Sequence, residues 1–403
     1  MQNITGGVLA PKGFIATTAS CGINSPKGTR KDLVLVDAGR NGSAAGVFTT
    51  NRVQAAPVIL SKKHLQNGMA RAIVINSGNA NACNGEEGME NAGEMAILIA
   101  RELNIPSNDI LVASTGVIGR PLPMDIIRDG IKKVACSKNL GSAKDAAESI
   151  MTTDTTPKSS AVKFDLCGAS ATIGGMAKGA GMICPNMATM IGVLTTDVAI
   201  APGALQSALN QAVAKSFNCI TVDGDMSTND TVFVLANYAA ENSVITQPHG
   251  DDYKLFCEAL DIVCIDLAKK IARDGEGATK LVEIKIKGAQ SEEDARTIGM
   301  SIANSALVKT AIYGHDPNWG RILCAIGYSD AKSDPDTIDL FMCEKQLTRD
   351  GKGLQLNETA MRKALSAEEI PILVDLKLGD GSATIWTCDM SHEYVTINAE
   401  YTT

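Results

Sequence analysis

Aromatic residues are scarce in this chain, at 4% of 403 residues, and histidine occurs only four times. So few rings leave little material for ligand cages built on aromatic faces. The net charge of −8 removes another class of function, because a grip on a phosphate backbone needs clustered lysine and arginine. Pairs such as Lys62–Lys63 and Lys132–Lys133 read as solvated surface, and nucleic acid is not an expected partner. The eleven cysteines never form a CxxC pair, and an odd number cannot all pair internally. Neither a disulfide framework nor a zinc spacing emerges, so no metal is expected. No stretch offers about 18 uninterrupted apolar residues for a membrane span. The opening MQNITGGVLAPKGF lacks a basic segment followed by an apolar one, so a cytoplasmic, reducing setting with no membrane is expected. The glycine runs spell neither a P-loop nor a dinucleotide fingerprint, and no cofactor is implied.

What is present is ordinary for a soluble globular enzyme: 45% hydrophobic and 20% charged residues, with 37 glycines. At this length the chain can bury a large core in two or three compact units. Segments 33–39, 56–61 and 71–78 are short, apolar and β-branched, and read as strands. Helical spacing marks 90–104, 121–136, 143–151 and 202–217, the last with proline near its start. Residues 189–198 and 231–239 read as strands and 251–275 as a long amphipathic helix stopped by glycine. Cys257 and Cys264 fall on one side of that helix and read as core. Further on, 281–288 alternates apolar and charged, 291–309 is helical and 338–347 strand-like. Residues 370–391 read as a hairpin around Gly-Asp-Gly. The fold class expected is α/β (α+β), with helices packed on mixed sheets. A catalytic region over 1–278 precedes a smaller α+β unit over 279–403.

The most informative segment is GGMAKGAGMICPNMATMIGVLTTD, 174–197. A glycine-rich run leads to Ala188 and Thr189, after which MIGVL begins a buried strand. Taken alone, Ala188–Thr189 reads as a structural threonine opening that strand. The layout also suits a self-cleaving precursor, in which a threonine attacks the preceding peptide bond and is released as a new N-terminal nucleophile. Its freed α-amine, titrating near ~7.7–8, can then act as the adjacent base, so no histidine is required. Cys184 is a weaker candidate for nucleophilic chemistry nearby. Gly174, Gly175, Gly179 and Gly181 would let the loop take strained dihedrals.

The string KGAGMICPNMATM, 178–190, resembles the processing site of the ornithine acetyltransferase family, the glutamate N-acetyltransferases of arginine biosynthesis. Further blocks occur in the family's order: GGVLAPKGF (6–14), NSGNANACNG (76–85), STGVIGRPLP (114–123) and TTDTTPK (152–158). DGDMSTNDT (223–231), DGEGATK (274–280), HDPNWGR (315–321) and NAEYTT (398–403) complete the set. The likeness therefore runs over nearly the whole chain.

The resemblance implies a cut between Ala188 and Thr189 into pieces 1–188 and 189–403, two of each forming a heterotetramer. The fold it implies is a self-processing, N-terminal-nucleophile-like one. It makes Thr189 the nucleophile and gives Thr115 and Gly116 the oxyanion hole, a pair that otherwise reads as a strand-to-helix turn. Thr152, Lys178, Thr189, Glu276, Asn398 and Thr403 become substrate-binding residues. The implied reaction moves an acetyl group from N2-acetylornithine to L-glutamate through acetyl-Thr189, with acetyl-CoA as a further donor in some members. A cationic and then an anionic side chain must share one pocket, so a mixed lining is expected. The rival reading is an N-terminal nucleophile aminopeptidase or amidase that delivers the acyl group to water. DGDMSTND (223–230) resembles a calcium loop but lacks glycine at its sixth position and has Val234 at its twelfth. His315 reads as part of a structural turn, and NSGNANACNG as a rigid turn cluster or part of the site.

Overall fold

A computed structural model of the chain describes residues 1–23, 30–136, 140–166, 168–184 and 190–400. Among the described residues, nine strands form one sheet: β1 (Gln2–Asn3), β2 (Ile15–Ala19), β3 (Leu33–Phe48), β4 (Met69–Asn79), β5 (Ile110–Val117), β6 (Lys158–Leu166), β7 (Ala169–Lys178), β8 (Ile191–Thr196) and β9 (Thr231–Ala236). Their order is β1-β6-β7-β8-β9-β3-β4-β5, with β2 paired to β3. Pairs β4–β5 and β8–β9 are parallel and the rest antiparallel.

Strand β3 changes partners along its length. Its first part pairs with β2 and β4, its register shifts between Asp37 and Gly42, and Ser43–Phe48 then pairs with β9. The sheet thereby folds back on itself. Successive strand residues point to opposite faces, and the burial follows that period. Val34, Val36, Ile73 and Ile75 pack in one cluster with Ile191, Val193, Phe233 and Leu235, so the two halves of the sheet meet face to face. Leu33, Leu35, Val74 and Val112 face outward against helices. These are α1 (Ala56–His64), α2 (Gly85–Leu103) and α3 (Met124–Cys136). The short α4 (Ala143–Ser149), started by a Ser142–Asp145 capping box, closes one end. On the opposite side, α5 (Pro202–Lys215) and α6 (Asp251–Arg273) cover Ile173, Leu194, Val232 and Val234. The arrangement is helix, sheet, sheet, helix.

The remaining strands, β10 (Leu281–Ala289), β11 (Asp339–Met342), β12 (Lys345–Arg349), β13 (Lys352–Gly353), β14 (Glu369–Asp375) and β15 (Gly381–Cys388), form a second sheet. Helices α7 (Glu292–Asn304), α8 (Ala306–Tyr313), α9 (Trp319–Gly327), α10 (Glu358–Ala364) and α11 (His392–Glu400) complete the chain. Leu205 and Phe256 share a buried cluster with Val282, Ile284, Val374 and Ile385, so the core runs without a break past residue 278. The mixed α/β class is as expected.

Four local readings are corrected. Residues 56–61 are the start of α1, not a strand; Pro57 sits in the first turn, where its missing N–H costs nothing, and a short apolar run does not distinguish the two states. Residues 370–391 are not a hairpin, because β10 lies between β14 and β15. The Gly-Asp-Gly connection instead crosses the end of β10, with Leu376 and Leu378 amides donating to Lys287 and Gly288 carbonyls. Residues 338–347 do turn back as a hairpin, since Cys343 and Glu344 both have positive φ, 48° and 63°. Residues 291–309 contain two helices, divided where Ser305 caps the second.

Strands β8 and β9 lie between β7 and β3. Residues after 189 thus occupy the middle of a sheet whose flanks come from residues before it. Cutting the backbone between them leaves every one of these ladders in place.

Candidate active site

The C-terminal ends of β5 and β7 open onto one cavity of about 80 Å³. Its lining includes Thr115 and Gly116 from β5, Thr152 from the loop after α4, and Lys178 from the end of β7. Glu276, just beyond α6, and Asn398 on α11 complete the approach. Six residues singled out from the sequence thus converge from five parts of the chain. Ala188, Thr189 and Thr403 lie outside the described residues. Met190, the residue after Thr189, donates its amide to Asp230 Oδ1 at 2.9 Å.

Gly116 has φ +131°, a conformation that side chains disfavour. A Cβ there would lie 2.3 Å from the carbonyl carbon of Gly78 and 2.5 Å from the Asn79 nitrogen, so β4 and β5 could not approach as they do. The NSGNANACNG block holds this corner. Ser114 Oγ donates to Asn76 Oδ1 at 2.6 Å, and Asn76 Nδ2 donates to the Asn79 carbonyl. Asn229 Nδ2 bridges the Ala80 and Ser114 carbonyls at 2.6 and 2.8 Å. The turn cluster is therefore also the scaffold of Thr115–Gly116.

Lys178 is 2% exposed. Its Nζ donates to Thr152 Oγ1 at 2.7 Å and to Thr115 Oγ1 at 3.4 Å. Thr115 accepts in that contact, which leaves its own O–H free to donate into the cavity. Burial draws the Lys178 amine below its ordinary value, with Asp154 opposing.

Asp154 was not singled out from the sequence, although it lies in TTDTTPK. Its Oδ1 accepts from the Gly179 amide at 2.7 Å and from Lys158 Nζ at 2.7 Å, and its Oδ2 accepts from the Thr152 amide at 3.0 Å. Oδ2 also lies 3.9 Å from Lys178 Nζ. Lys158 Nζ reaches Asp274 as well, at 2.5 Å, two residues before Glu276. This buried chain ties Thr152, Lys178 and the loop carrying Glu276 into one unit. Burial alone would raise the Asp154 carboxyl, but Lys178, Lys158 and the Gly179 amide overcome it and hold it at about 2.

On the far side, Glu276 Oε2 accepts from Asn398 Nδ2 at 2.8 Å, and the Glu276 amide donates to the Ala180 carbonyl. A Cβ on Gly181 would lie 2.4 to 2.5 Å from the Glu276 carboxylate atoms, so this glycine makes room for the charge. Gly174 and Gly175 do not belong to a strained loop; both are paired within β7. There they permit close approach, Gly174 to the Gly7 carbonyl and Gly175 to Leu194. Gly179, at φ +153°, does occupy a conformation glycine favours. Asp223, in DGDMSTND, holds the Met182 and Ile183 amides at 2.6 and 2.9 Å, so this block braces the loop before the junction. His315 has φ +53° at the end of α8, where its amide bonds to the Ile312 carbonyl.

One end of the cavity is thus a cation beside hydroxyls and the other a carboxylate beside an amide. Such a lining can hold a zwitterionic amino acid while a hydroxyl and a glycine amide face a developing oxyanion.

The chain is 49% identical, over 403 residues and 100% of both chains, to the arginine biosynthesis bifunctional protein ArgJ of Symbiobacterium thermophilum. It is 48% identical to the glutamate N-acetyltransferase of Methanocaldococcus jannaschii, again over 100% of both chains. Among solved structures, the arginine biosynthesis bifunctional protein ArgJ of Bacillus halodurans is 45% identical. That match covers 51% of this chain and 97% of the solved one, at a TM-score of 0.50. Residues 15–403 match the ArgJ family, and with relatives this similar over its whole length the chain belongs to that family.

Proposed function

We propose that this protein transfers an acetyl group from N2-acetylornithine to L-glutamate, through an acetyl ester on Thr189. The observation that carries this reading is the convergence of Thr115, Gly116, Thr152, Lys178, Glu276 and Asn398 on one cavity. The precursor splits between Ala188 and Thr189. The solved chain from Bacillus halodurans is matched over 97% of its own length yet spans 51% of this one, as one piece of a divided chain would. Pieces 1–188 and 189–403 remain locked in a shared sheet, and two of each assemble as a heterotetramer in the cytoplasm. Residues 1–278 form the catalytic region and 279–403 an α+β unit that supports it.

In the mature enzyme the α-amine of Thr189 takes the proton from the threonine hydroxyl as Oγ1 adds to the acetyl carbonyl. The Gly116 amide and Thr115 hydroxyl stabilise the oxyanion. Ornithine leaves with the proton, and the α-amino group of glutamate then attacks the ester, giving N-acetylglutamate. Lys178 and Thr152 hold the α-carboxylate; Glu276, Asn398 and Thr403 hold the ornithine ammonium and are screened by neutral donors when glutamate enters. Acetyl-CoA can load the same ester as a second donor.

Incubation with N2-acetylornithine and L-glutamate tests the assignment. Ornithine and N-acetylglutamate should form in equal amounts. Ornithine released together with acetate, and without N-acetylglutamate, would instead make the chain a hydrolase.

Gly181→Ala follows from the same geometry. The flexible Glu276 tip can swing aside, so stability should change by less than about 1 kcal/mol. The displaced carboxylate should raise KM for N2-acetylornithine about tenfold, equivalent to about 1.4 kcal/mol. Steady-state kinetics and a melting curve of the variant check both parts.

A further inference from the structure

Helix α11 closes one side of the cavity, yet little apolar surface holds it there. None of its nine residues is buried, and isolated helices this short are marginal in water. We propose that Tyr394 is a positioning residue that latches α11 across the cavity, and that this latch directs the acetyl group to the amine of glutamate rather than to water. The second half of that statement rests on the acetyl-transfer reading above.

Polar contacts take the place of a core. Ser391, just before the helix, donates its hydroxyl to the Gly277 carbonyl at 2.6 Å. Gly277 has φ +69°, and a Cβ there would lie 2.5 Å from the Tyr394 nitrogen, so only glycine lets the chain after Glu276 lie so close to the first turn of α11. From that turn Tyr394 reaches back and donates its hydroxyl to Asp223 Oδ2 at 3.3 Å. The same oxygen accepts from the amide of Met182 at 2.6 Å, and Met182 lines the cavity. One turn further along, Asn398 Nδ2 donates to the Tyr394 carbonyl at 3.0 Å and to Glu276 Oε2 at 2.8 Å. Tyr394 therefore joins two walls of the site. Its hydroxyl fixes α11 to the Asp223 brace, and its carbonyl aims the Asn398 amide at Glu276.

The charge environment agrees. Burial, and after it the Asp223 charge, pushes the Tyr394 phenol above its ordinary value. The hydroxyl keeps its proton throughout the neutral range and can donate there.

An acetyl ester in this cavity faces two nucleophiles. Attack by the glutamate α-amine breaks the ester C–O bond, returns a proton to the enzyme hydroxyl and gives N-acetylglutamate. Attack by water breaks the same bond, returns a proton to the same oxygen and gives acetate. Transfer prevails only where solvent is kept out while the amine is held in place. Asn398 both lines the cavity and is exposed, so α11 is the wall between the two, and loosening it admits water.

The test uses Tyr394→Phe, which removes one hydroxyl and keeps the ring. With N2-acetylornithine alone, this variant should release acetate about tenfold faster than the parent, the effect of losing one hydrogen bond to a charged group. With L-glutamate present, the ratio of acetate to N-acetylglutamate should rise by a similar factor while the melting temperature stays close to the parent's. Amide hydrogen exchange across residues 392–400 should also quicken. Val395→Ala, on the same helix but 65% exposed, should leave both ratio and exchange unchanged. A phenylalanine variant that partitions the acetyl group like the parent would overturn the proposal, and so would equal effects in the two variants. Equal loss of both reactions together with a lowered melting temperature would overturn it too, as would a changed ratio with unchanged exchange. A parent chain that forms no N-acetylglutamate would instead overturn the acetyl-transfer reading.

Discussion

Gly116→Ala is expected to lower kcat for acetyl transfer about 100- to 1,000-fold, the usual loss for one oxyanion donor. The same variant should accumulate uncut precursor, because self-cleavage and acetyl transfer both pass through a tetrahedral oxyanion. The cause is backbone geometry. The added methyl would meet the carbonyl carbon and Cα of Gly78 at 2.3 and 2.7 Å, and the Asn79 nitrogen at 2.5 Å. None of these can swing away as a side-chain tip can, so the ends of β4 and β5 must part and carry the Gly116 amide with them. Holding alanine at this φ costs a further ~1–3 kcal/mol. Precursor and product fractions on a denaturing gel, with kcat measured on the cut material, separate the effects. A variant that matures and turns over like the parent would remove Gly116 from the oxyanion hole.

The second large effect is at Asp154. Asp154→Ala leaves Lys158 and Lys178 buried without their shared carboxylate, and breaking such a pair costs about 3–5 kcal/mol. It also frees the Thr152 and Gly179 amides, so both sides of the substrate carboxylate site lose their anchor. Asp154→Asn keeps the shape without the charge and should fall between the parent and alanine. Urea midpoints of the three proteins check the order. A pH dependence follows from the direction of the shift. The carboxyl is held at about 2 rather than its ordinary 3.8 when folded. Its contribution is therefore fully present above about pH 4 and fades as pH falls toward 2. In the parent, acid unfolding should show this loss; in Asp154→Asn that component should vanish. An alanine variant as stable as the parent would make the buried chain incidental.

Much of the site was legible in the sequence because its residues sit in motif blocks. Thr115–Gly116, Lys178 and Glu276 each stand beside glycines that have a use in the fold: the φ of Gly116, the φ of Gly179 and the space Gly181 leaves for a carboxylate. Asp154 and Lys158 stood in an equally visible block, yet nothing local separates a buried ion pair from surface charge. Only the packing of β6 and α6 buries them, with Lys158 1% exposed. Strands β4, β8 and β9 followed from apolar, β-branched runs. The misreading of 370–391 had a different origin. Two strands joined by Gly-Asp-Gly satisfy the local signature of a hairpin, and the insertion of β10 between them depends on residues some 80 positions earlier. The five apolar residues that open helix α1 fit either state until Ser61 is seen bonding to the Val112 carbonyl of β5.

The most direct test of the account is intact-mass spectrometry of the purified protein after brief exposure to N2-acetylornithine without glutamate. Two masses are expected, corresponding to 1–188 and 189–403, with the second heavier by one acetyl group that maps to Thr189. A single mass for the whole chain that never gains acetyl, or an acetyl group carried on any other residue, would contradict it.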